Sequence, residues 1–471
     1  MRICMILEGS YPYVRGGVSS WMHDYIRALP QHEFILWTIC AAEKDKGCFK
    51  YELPRNVVVV KEVFLDACLK QSIRKNNAFR LTAREKQAVE ALLEGTNPDF
   101  ELLFAYFRKY KDPAAFLMSR QFIDLVKELS RKRYPFLPFS ELFYTLRSML
   151  LPMICLMVCA VPATDIYHAA ASGYSGILGA LASWSQNRPF ILTEHGIYTR
   201  EREEEILRSE WIRPEFRSMW IRLFYMFSTC AYSKAVTVTS LFEHASLMQQ
   251  DIGCPREKCI VVNNGIHYHP FTEIPAKVPD GWVDIGAIVR FAPIKDIKTL
   301  IYAFSLLKAS VPNSRLHILG GVEDEEYYQE CILLINQIGV PDIYMIGNTD
   351  VKTYLQKLDF TVLTSISEGQ PLAIIESMAG ARPVVCTDVG CCRELVEGKT
   401  EQDAFGAAGF CCAPMDYPAI SKAMETLCLD SDLRQKMGLA GRQRVIHFYS
   451  HKRMMEAYLN CCERAVQQWP A

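Results

Sequence analysis

The sequence holds 18 cysteines but no C-x-x-C pair and no Cys/His group at zinc-finger spacing. Three pairs are simply adjacent: Cys391-Cys392, Cys411-Cys412 and Cys461-Cys462. The opening residues, MRICMILEGSYPY, lack the charged, apolar, small order of a signal peptide. Together these absences predict a cytosolic chain whose reduced thiols serve as small core residues. No basic tail or stripe is present, and the formal net charge is -1, which argues against nucleic acid as the main ligand. No apolar run reaches the ~20 residues of a spanning helix. The nearest, Ser148 to Ala163, contains Pro152 and Pro162 and reads as a buried helix leading into a strand. Contact with a membrane-bound partner stays open for that run. There is no internal repeat and no low-complexity segment.

What is present is an alternation of apolar runs and amphipathic segments, the rhythm of parallel, doubly wound α/β sheets. A length of 471 residues predicts two domains. The first is expected over residues 1–270, with strands at RICMILE, EFILWTI, NVVVVKEV, TDIYHAA, RPFILTEHG, AVTVTS and CIVVNNG. Between about 68 and 151 the period turns helical, which predicts a helical insertion. Proline and polar residues gather at 267–279, the expected boundary. A second series over 271–445 follows, with strands at VDIGAIVR, RLHILGG, IYMIG, FTVLTS and PVVCTD. A last helix over 446–471 is expected to pack back across the junction. Two such domains facing each other leave a cleft at the carboxyl ends of their strands, where these sheets bind ligands.

One corner carries the chemistry. In SEGQPLAIIESMAG, Glu368 and Glu376 flank the start of a predicted helix that has Pro371 at its first position and is stopped by Gly380. A helix N-terminus aimed into a cleft favours an anion such as phosphate. Arg290 and Lys295, in VRFAPIKDIKTL, supply cations from another strand-to-helix loop. Carboxylates beside an anion site imply hydroxyl-rich neighbours on the ligand, as for ribose in dinucleotide folds. Glu376 reaches a ribose and Glu368 a second sugar, so the ligand that fits is a nucleotide sugar.

The EGQPLAIIE segment resembles the E-x7-E motif of retaining GT-B glycosyltransferases of family GT4. VRFAPIKDIKTL resembles that family's Arg/Lys diphosphate loop, NNGIHYHPF its turn closing the N-terminal domain, and DLRQKMGLAGRQRV its penultimate helix. The segments ILEGSYPYVRGGVSSWMHDYI, DIYHAAASGYSGILGALAS and LTEHGIYTRERE resemble the PelF family, the cytosolic glycosyltransferases of Pel exopolysaccharide synthesis. The resemblance implies a GT-B fold and transfer of a hexosyl unit, with retention, from a UDP-sugar to a growing exopolysaccharide. It implies catalytic roles for Glu368, His195, Arg290 and Lys295. Arg290 and Lys295 would neutralise the diphosphate. Glu376 would hold the ribose and Glu368 the donor sugar. Main-chain groups of Gly369, Gln370, Pro371, Leu372 and Ala373 would touch sugar and phosphate. Gly16 and Gly17 would let backbone approach the diphosphate, His195 would lie near the sugar, and the main chain of Ile346 to Val351, including Asn348 and Val351, would hold the base. Inner-membrane Pel synthase subunits would be partners, recruiting the chain to the inner face of the membrane. Cys391 and Cys392 replace the small residues usual in the family after TDVG, while Gly390 keeps the turn.

No metal or cofactor is expected. The Asp430-Ser431-Asp432 triplet reads as a helix N-cap, and His267 with His269 do not make a metal site. Arg200, Glu201 and Arg202 either contact a substrate or form a solvated charge run. Two other functions share these residues: a nucleotide-sugar epimerase, and a non-catalytic nucleotide-sugar-binding subunit of a membrane synthase.

Overall fold

The computed structural model describes residues 1–70, 79–110, 112–398 and 403–470. The expected insertion of 68–151 therefore includes residues outside the described set, 71–78 and 111. The chain forms two compact units. The first comprises Met1–Ser240, Ala245–Val261 and the chain from Tyr458 onward, and the second Leu241–His244 and Val262–Ala457. The proline-bearing stretch 267–279 lies inside the second unit, and the last helix, His451–Gln468, contributes to both.

Among the described residues, the first unit carries seven strands: β1 Arg2–Glu8, β2 Glu33–Cys40, β3 Val57–Phe64, β4 Ile166–Ala169, β5 Phe190–Thr193, β6 Thr237–Ser240 and β7 Cys259–Val261. They are parallel, in the order β3-β2-β1-β4-β5-β6-β7. Central strands are covered on both faces, so β1 is a continuous apolar run with Ile3 to Leu7 all buried. β3 is the sheet edge. Its Val58 and Val59 are exposed.

Helices between β3 and β4 share one apolar core with the sheet, in which Phe104, Phe107, Phe116 and Phe122 pack with Ile6 and Trp37. The apolar run at 148–163 belongs to helix Phe139–Met157, whose residues from Met149 to Met157 are all buried. Pro152 sits inside this helix rather than ending it. The donor it removes would have served the carbonyl of Ser148, an exposed residue. This helix is long and apolar enough to cross a membrane, but it contributes most of its surface to the core.

The second unit has six parallel strands among the described residues: β8 Val283–Ile288, β9 Ser314–Leu319, β10 Ile343–Gly347, β11 Phe360–Leu363, β12 Val384–Thr387 and β13 Gly409–Cys412. Their order is β10-β9-β8-β11-β12-β13. The sequence reading omitted β13, a four-residue GFCC segment. Strand order reverses between β1 and β4 in the first sheet and between β8 and β11 in the second. At such a switch the connecting loops diverge and open a crevice at the carboxyl ends of the strands.

The helix Ser431–Phe448 holds the second unit together through a buried charge. Arg444 is fully buried and donates to both carboxylate oxygens of Asp403, at 2.6 and 3.1 Å. It also donates to the carbonyls of Leu395, Val396 and Gly406. Arg444→Met is expected to destabilise the second unit by roughly 3–5 kcal/mol, because Asp403 would remain as an unpaired buried carboxylate. Urea unfolding of the full chain measures this.

Candidate active site

The loops after β8 and β11, neighbours at the switch point of the second sheet, are bonded to each other. The Thr364 hydroxyl donates to the carbonyls of Lys295 and Asp296 at 3.2 and 3.1 Å, and the Ile366 N–H to the carbonyl of Ile294 at 3.0 Å. Across this seam Lys295 Nζ meets Glu368 Oε1 at 2.6 Å, with both side chains largely buried. Ser365 Oγ donates to the same oxygen at 2.6 Å. Arg290 does not join this cluster. It reaches outward to Glu323 at 2.6 Å, and both side chains are exposed. Such a surface pair is worth about 1 kcal/mol or less, so Arg290 exchanges partners at little cost.

Glu368 leads into Gly369, Gln370 and Pro371, and helix Leu372–Ala379 follows. Pro371, expected at the first helical position, is the N-cap, so the helix begins one residue later, at Leu372. No side chain caps this end, which leaves the first amides of the helix, those of Leu372 and Ala373, without a side-chain acceptor and suited to an anion. Gly380 closes the helix with an ordinary φ of -73°; the left-handed residue is Ala381, at φ 55°. Gln370 is buried, and its Oε1 accepts the N–H of Asn264 at 2.6 Å. The NNG turn is therefore anchored to the glutamate loop. Gly390 is obligatory: its φ is 56°, and a Cβ there would lie 2.3 Å from the carbonyl oxygens of Glu368 and Gly369.

Glu376 lies one helical turn inside. Burial lifts its carboxyl to about 7, opposed only by the charge of Lys352. No hydrogen-bond donor meets it among the described residues. Lys352 follows Val351, the first residue of helix Val351–Leu355, whose N-cap Asp350 accepts from Lys352 and Thr353 amides. The Asn348 amide lies over Gly321, where a Cβ would come within 2.9 Å of it.

In the first unit Gly16 and Gly17 lie after β1, at the switch point, and His195 lies after β5, the strand next to β4. Gly16 is the extended N-cap of helix Gly17–Ala28, with no side-chain cap, and a Cβ at Gly16 or Gly17 would meet no atom of the chain. Internal packing thus does not require glycine there. His195 follows β5, and its ring stands against Trp21 at 4.4 Å. Burial lowers it to about 4, and Nε2 has no partner. A cavity of about 500 Å3 opens beside it, lined by Glu8, Ser10, Val18, Tyr198, Glu201 and Arg202 among others.

Glu8 escaped the sequence reading. Tyr198 Oη donates to its Oε1 at 2.8 Å and the Ser175 N–H to its Oε2 at 3.1 Å. The charge run also divides. Arg200 is exposed and pairs with Glu204, whereas Glu201 turns inward, its Oε1 only 1.9 Å from where a Cβ on Gly196 would stand. Burial raises Glu201 above the usual carboxylate range. Asp430 accepts the Leu433 N–H at 2.8 Å as an N-cap, and His267 stacks on His451 at 3.9 Å.

Residues 1–257 match the family described as Domain of unknown function (DUF3492). That match covers more than half of the sequence. The chain belongs to this family. Residues 277–444 match Glycosyl transferases group 1, so the second unit carries a group 1 glycosyl transferase domain. An MMP alpha-(1->4)-mannosyltransferase of Mycolicibacterium hassiacum is 23% identical over 59% of this chain and 66% of its own length, just under two thirds. The capsular polysaccharide biosynthesis glycosyltransferase CapM of Staphylococcus aureus is 25% identical over 60% of this chain and 72% of its own. Among solved structures, Anabaena HepE in complex with UDP superposes with a TM-score of 0.62 at 14% identity, covering 98% of this chain and all of HepE. HepE with UDP-glucose gives a TM-score of 0.58, again at 14% identity and covering 98% of this chain and 99% of HepE. The fold is GT-B: two parallel-sheet Rossmann-like domains.

The raised Glu376 has a thermodynamic consequence. Its carboxyl titrates near 4.5 when free and near 7 when folded. The folded state therefore holds this proton more tightly, and that stabilisation is complete below about 4.5 and lost as pH rises through 7. Glu376→Gln is expected to raise the melting temperature at pH 8, with a smaller gain at pH 5. Scanning calorimetry at the two values checks this.

Proposed function

We propose that this chain is a metal-independent, retaining glycosyltransferase of the PelF type, moving a hexosyl unit from a UDP-sugar to a growing exopolysaccharide. The observation that carries this reading is the Lys295–Glu368 ion pair at the switch point, beside an uncapped helix N-terminus. Cation, amide donors and carboxylate stand together there, as a diphosphate joined to a sugar requires. The group 1 match and the UDP and UDP-glucose complexes of HepE support the same donor class.

In this reading the diphosphate draws Lys295 from Glu368 and Arg290 from Glu323, and the amides of Leu372 and Ala373 donate to its remaining oxygens. As the anomeric C–O bond breaks, electrons pass to the phosphate oxygen, and these groups stabilise the leaving diphosphate. Glu368, relieved of Lys295, accepts hydrogen bonds from the sugar hydroxyls. Glu376 accepts the ribose hydroxyls, which supply the donors it lacks. A phosphate oxygen takes the acceptor's proton on the same face, so no protein base is assigned. The cations and amides do the neutralising, which is why no metal is invoked. Asp430 is already committed to capping. Within the first unit, His195 is neutral at physiological pH and Glu201 is turned inward. The reading places the chain in the cytoplasm, with inner-membrane synthase subunits as partners. It rests there on the resemblance of the N-terminal segments to the PelF family.

A thermal-shift panel of UDP, ADP, GDP and UDP-hexoses without added metal tests the reading, since a ligand specific to the folded state raises the melting temperature. A shift by UDP and one UDP-hexose is expected. Arg290→Ala should weaken UDP binding roughly tenfold or more, the loss of a charged hydrogen-bonded contact. Glu368→Ala should abolish transfer and leave UDP bound. UDP-hexose conversion without acceptor would instead identify an epimerase, and binding without turnover a regulatory subunit.

A further inference from the structure

Two thiols of the first unit face each other. Cys259 Sγ donates to Cys254 Sγ at 3.5 Å. The residues between them, Pro255 to Lys258, form a single 3-10 turn, Arg256–Lys258, closed by the Lys258 N–H on the Pro255 carbonyl at 3.0 Å. Proline fixes the entry to that turn, so local backbone geometry brings the sulfurs together. Both thiols also reach the Pro255 carbonyl, at 3.8 Å from Cys254 and 3.5 Å from Cys259. The pair is unequal. Cys254 is buried, and burial pushes its thiol up, whereas Cys259 is partly exposed.

The pair stands at the end of a short buried chain of bonds. Cys259 opens the edge strand β7 and is paired with Val238 of β6. Cys254 follows helix Glu243–Ile252, and its N–H donates to the Gln249 carbonyl at 2.9 Å. Gln249 is fully buried, and its Nε2 donates to Glu194 Oε2 at 2.9 Å. Glu194 is buried too, accepts the hydroxyls of Ser172 and Tyr232 at 2.6 and 2.7 Å, and immediately precedes His195. Hydrogen bonds thus run from Cys254 through Gln249 to the His195 loop.

We propose that Cys254 and Cys259 are an oxidisable pair, which a low-molecular-weight disulfide joins, and that the new bond loosens the hold of Gln249 on Glu194. Cys259, the more accessible, attacks first as its thiolate. A mixed disulfide forms on Cys259, and one reagent thiolate leaves and takes up the proton that Cys259 lost. Cys254, deprotonated in turn, attacks the Cys259 sulfur, closes the protein disulfide and expels the second reagent thiolate, which takes up the Cys254 proton. The protein loses two electrons and two protons, and the reagent becomes two thiols. An S–S bond is about 2.05 Å long, so the sulfurs must approach by about 1.5 Å. Pairing with β6 holds Cys259 in place, so Cys254 is the side that moves, and its bond to the Gln249 carbonyl carries the movement inward. The proposal goes beyond the transfer reaction and is independent of the donor-site reading, because its readout needs no nucleotide.

The test treats the full-length protein with glutathione disulfide and then with dithiothreitol, read by peptide mass mapping and by hydrogen exchange. The peptides bearing Cys254 and Cys259 are expected to lose two hydrogens and regain them on reduction. Exchange at residues 193–197 should be about threefold or more faster in the joined protein. Cys254→Ser should stop at the mixed disulfide on Cys259, and Cys259→Ser should leave Cys254 a free thiol with 193–197 at the reduced rate. Melting curves establish that both variants fold, and the oxidised and reduced wild type make the comparison without them. The proposal is overturned if both thiols stay free in the folded wild type, if they join only in urea, if the wild type stops at the mixed disulfide, or if joining leaves exchange at 193–197 unchanged.

Discussion

Lys295 and Glu368 arrive from loops that follow adjacent strands of a parallel sheet, and their 2.6 Å contact closes the seam between those loops. Strand order reverses there, so the crevice exists for topological reasons before any side chain is considered. The ion pair then fixes where the cation stands and which way the carboxylate faces. The surrounding loop depends on the same register. Ser365 shares the Glu368 oxygen, Gln370 ties the loop to Asn264, and Gly390 lets the carbonyls of Glu368 and Gly369 approach within a distance no side chain tolerates. A pair of this kind is a poor source of net stability, since desolvation offsets much of the attraction. Its worth lies in placing two opposite charges at a site where a ligand carrying both anion and hydroxyls can take them over.

The two carboxylates of the corner are prepared differently. Glu368 is paired and hydrogen-bonded, whereas Glu376 is half-buried with no donor to satisfy it, and its carboxyl rises to about 7. A buried acceptor without a partner is a standing cost to the fold, of the sort that persists at binding sites because the ligand relieves it. The first unit shows related preparation. His195 is kept neutral with an orphan nitrogen, and Glu201 is turned into the cavity beside it, while Glu8 is fully used in joining β1 to Ser175 and Tyr198.

Much of this was legible in the sequence because the governing signals are local. β1 is a run of apolar residues with the bounds expected of a strand covered on both faces, and the EGQPL corner announces a helix start by its proline. β13 was missed because four residues, two of them cysteine, carry no strand period. Pro152, expected to punctuate the apolar run, lies inside the helix instead, one turn after the exposed residue Ser148. Ala381, rather than Gly380, takes the left-handed turn, and Gly438 of the helix Ser431–Phe448 lies against its carbonyl. The contacts themselves were beyond reach: Lys295 and Glu368 are 73 residues apart and Tyr198 and Glu8 are 190 apart, and no spacing rule joins them. The inward turn of Glu201 from a run of surface charges is likewise a tertiary fact.

The most direct test of the ion-pair account is a calorimetric titration of UDP into the wild type, Lys295→Met, Glu368→Gln and the double variant. If the diphosphate takes Lys295 away from Glu368, neutralising Glu368 should leave UDP affinity unchanged or tighter. Removing Lys295 should weaken it about tenfold or more with either residue at position 368. UDP binding to Lys295→Met with wild-type affinity would contradict the account, for the cation at the switch point would then hold only the loop and not the ligand.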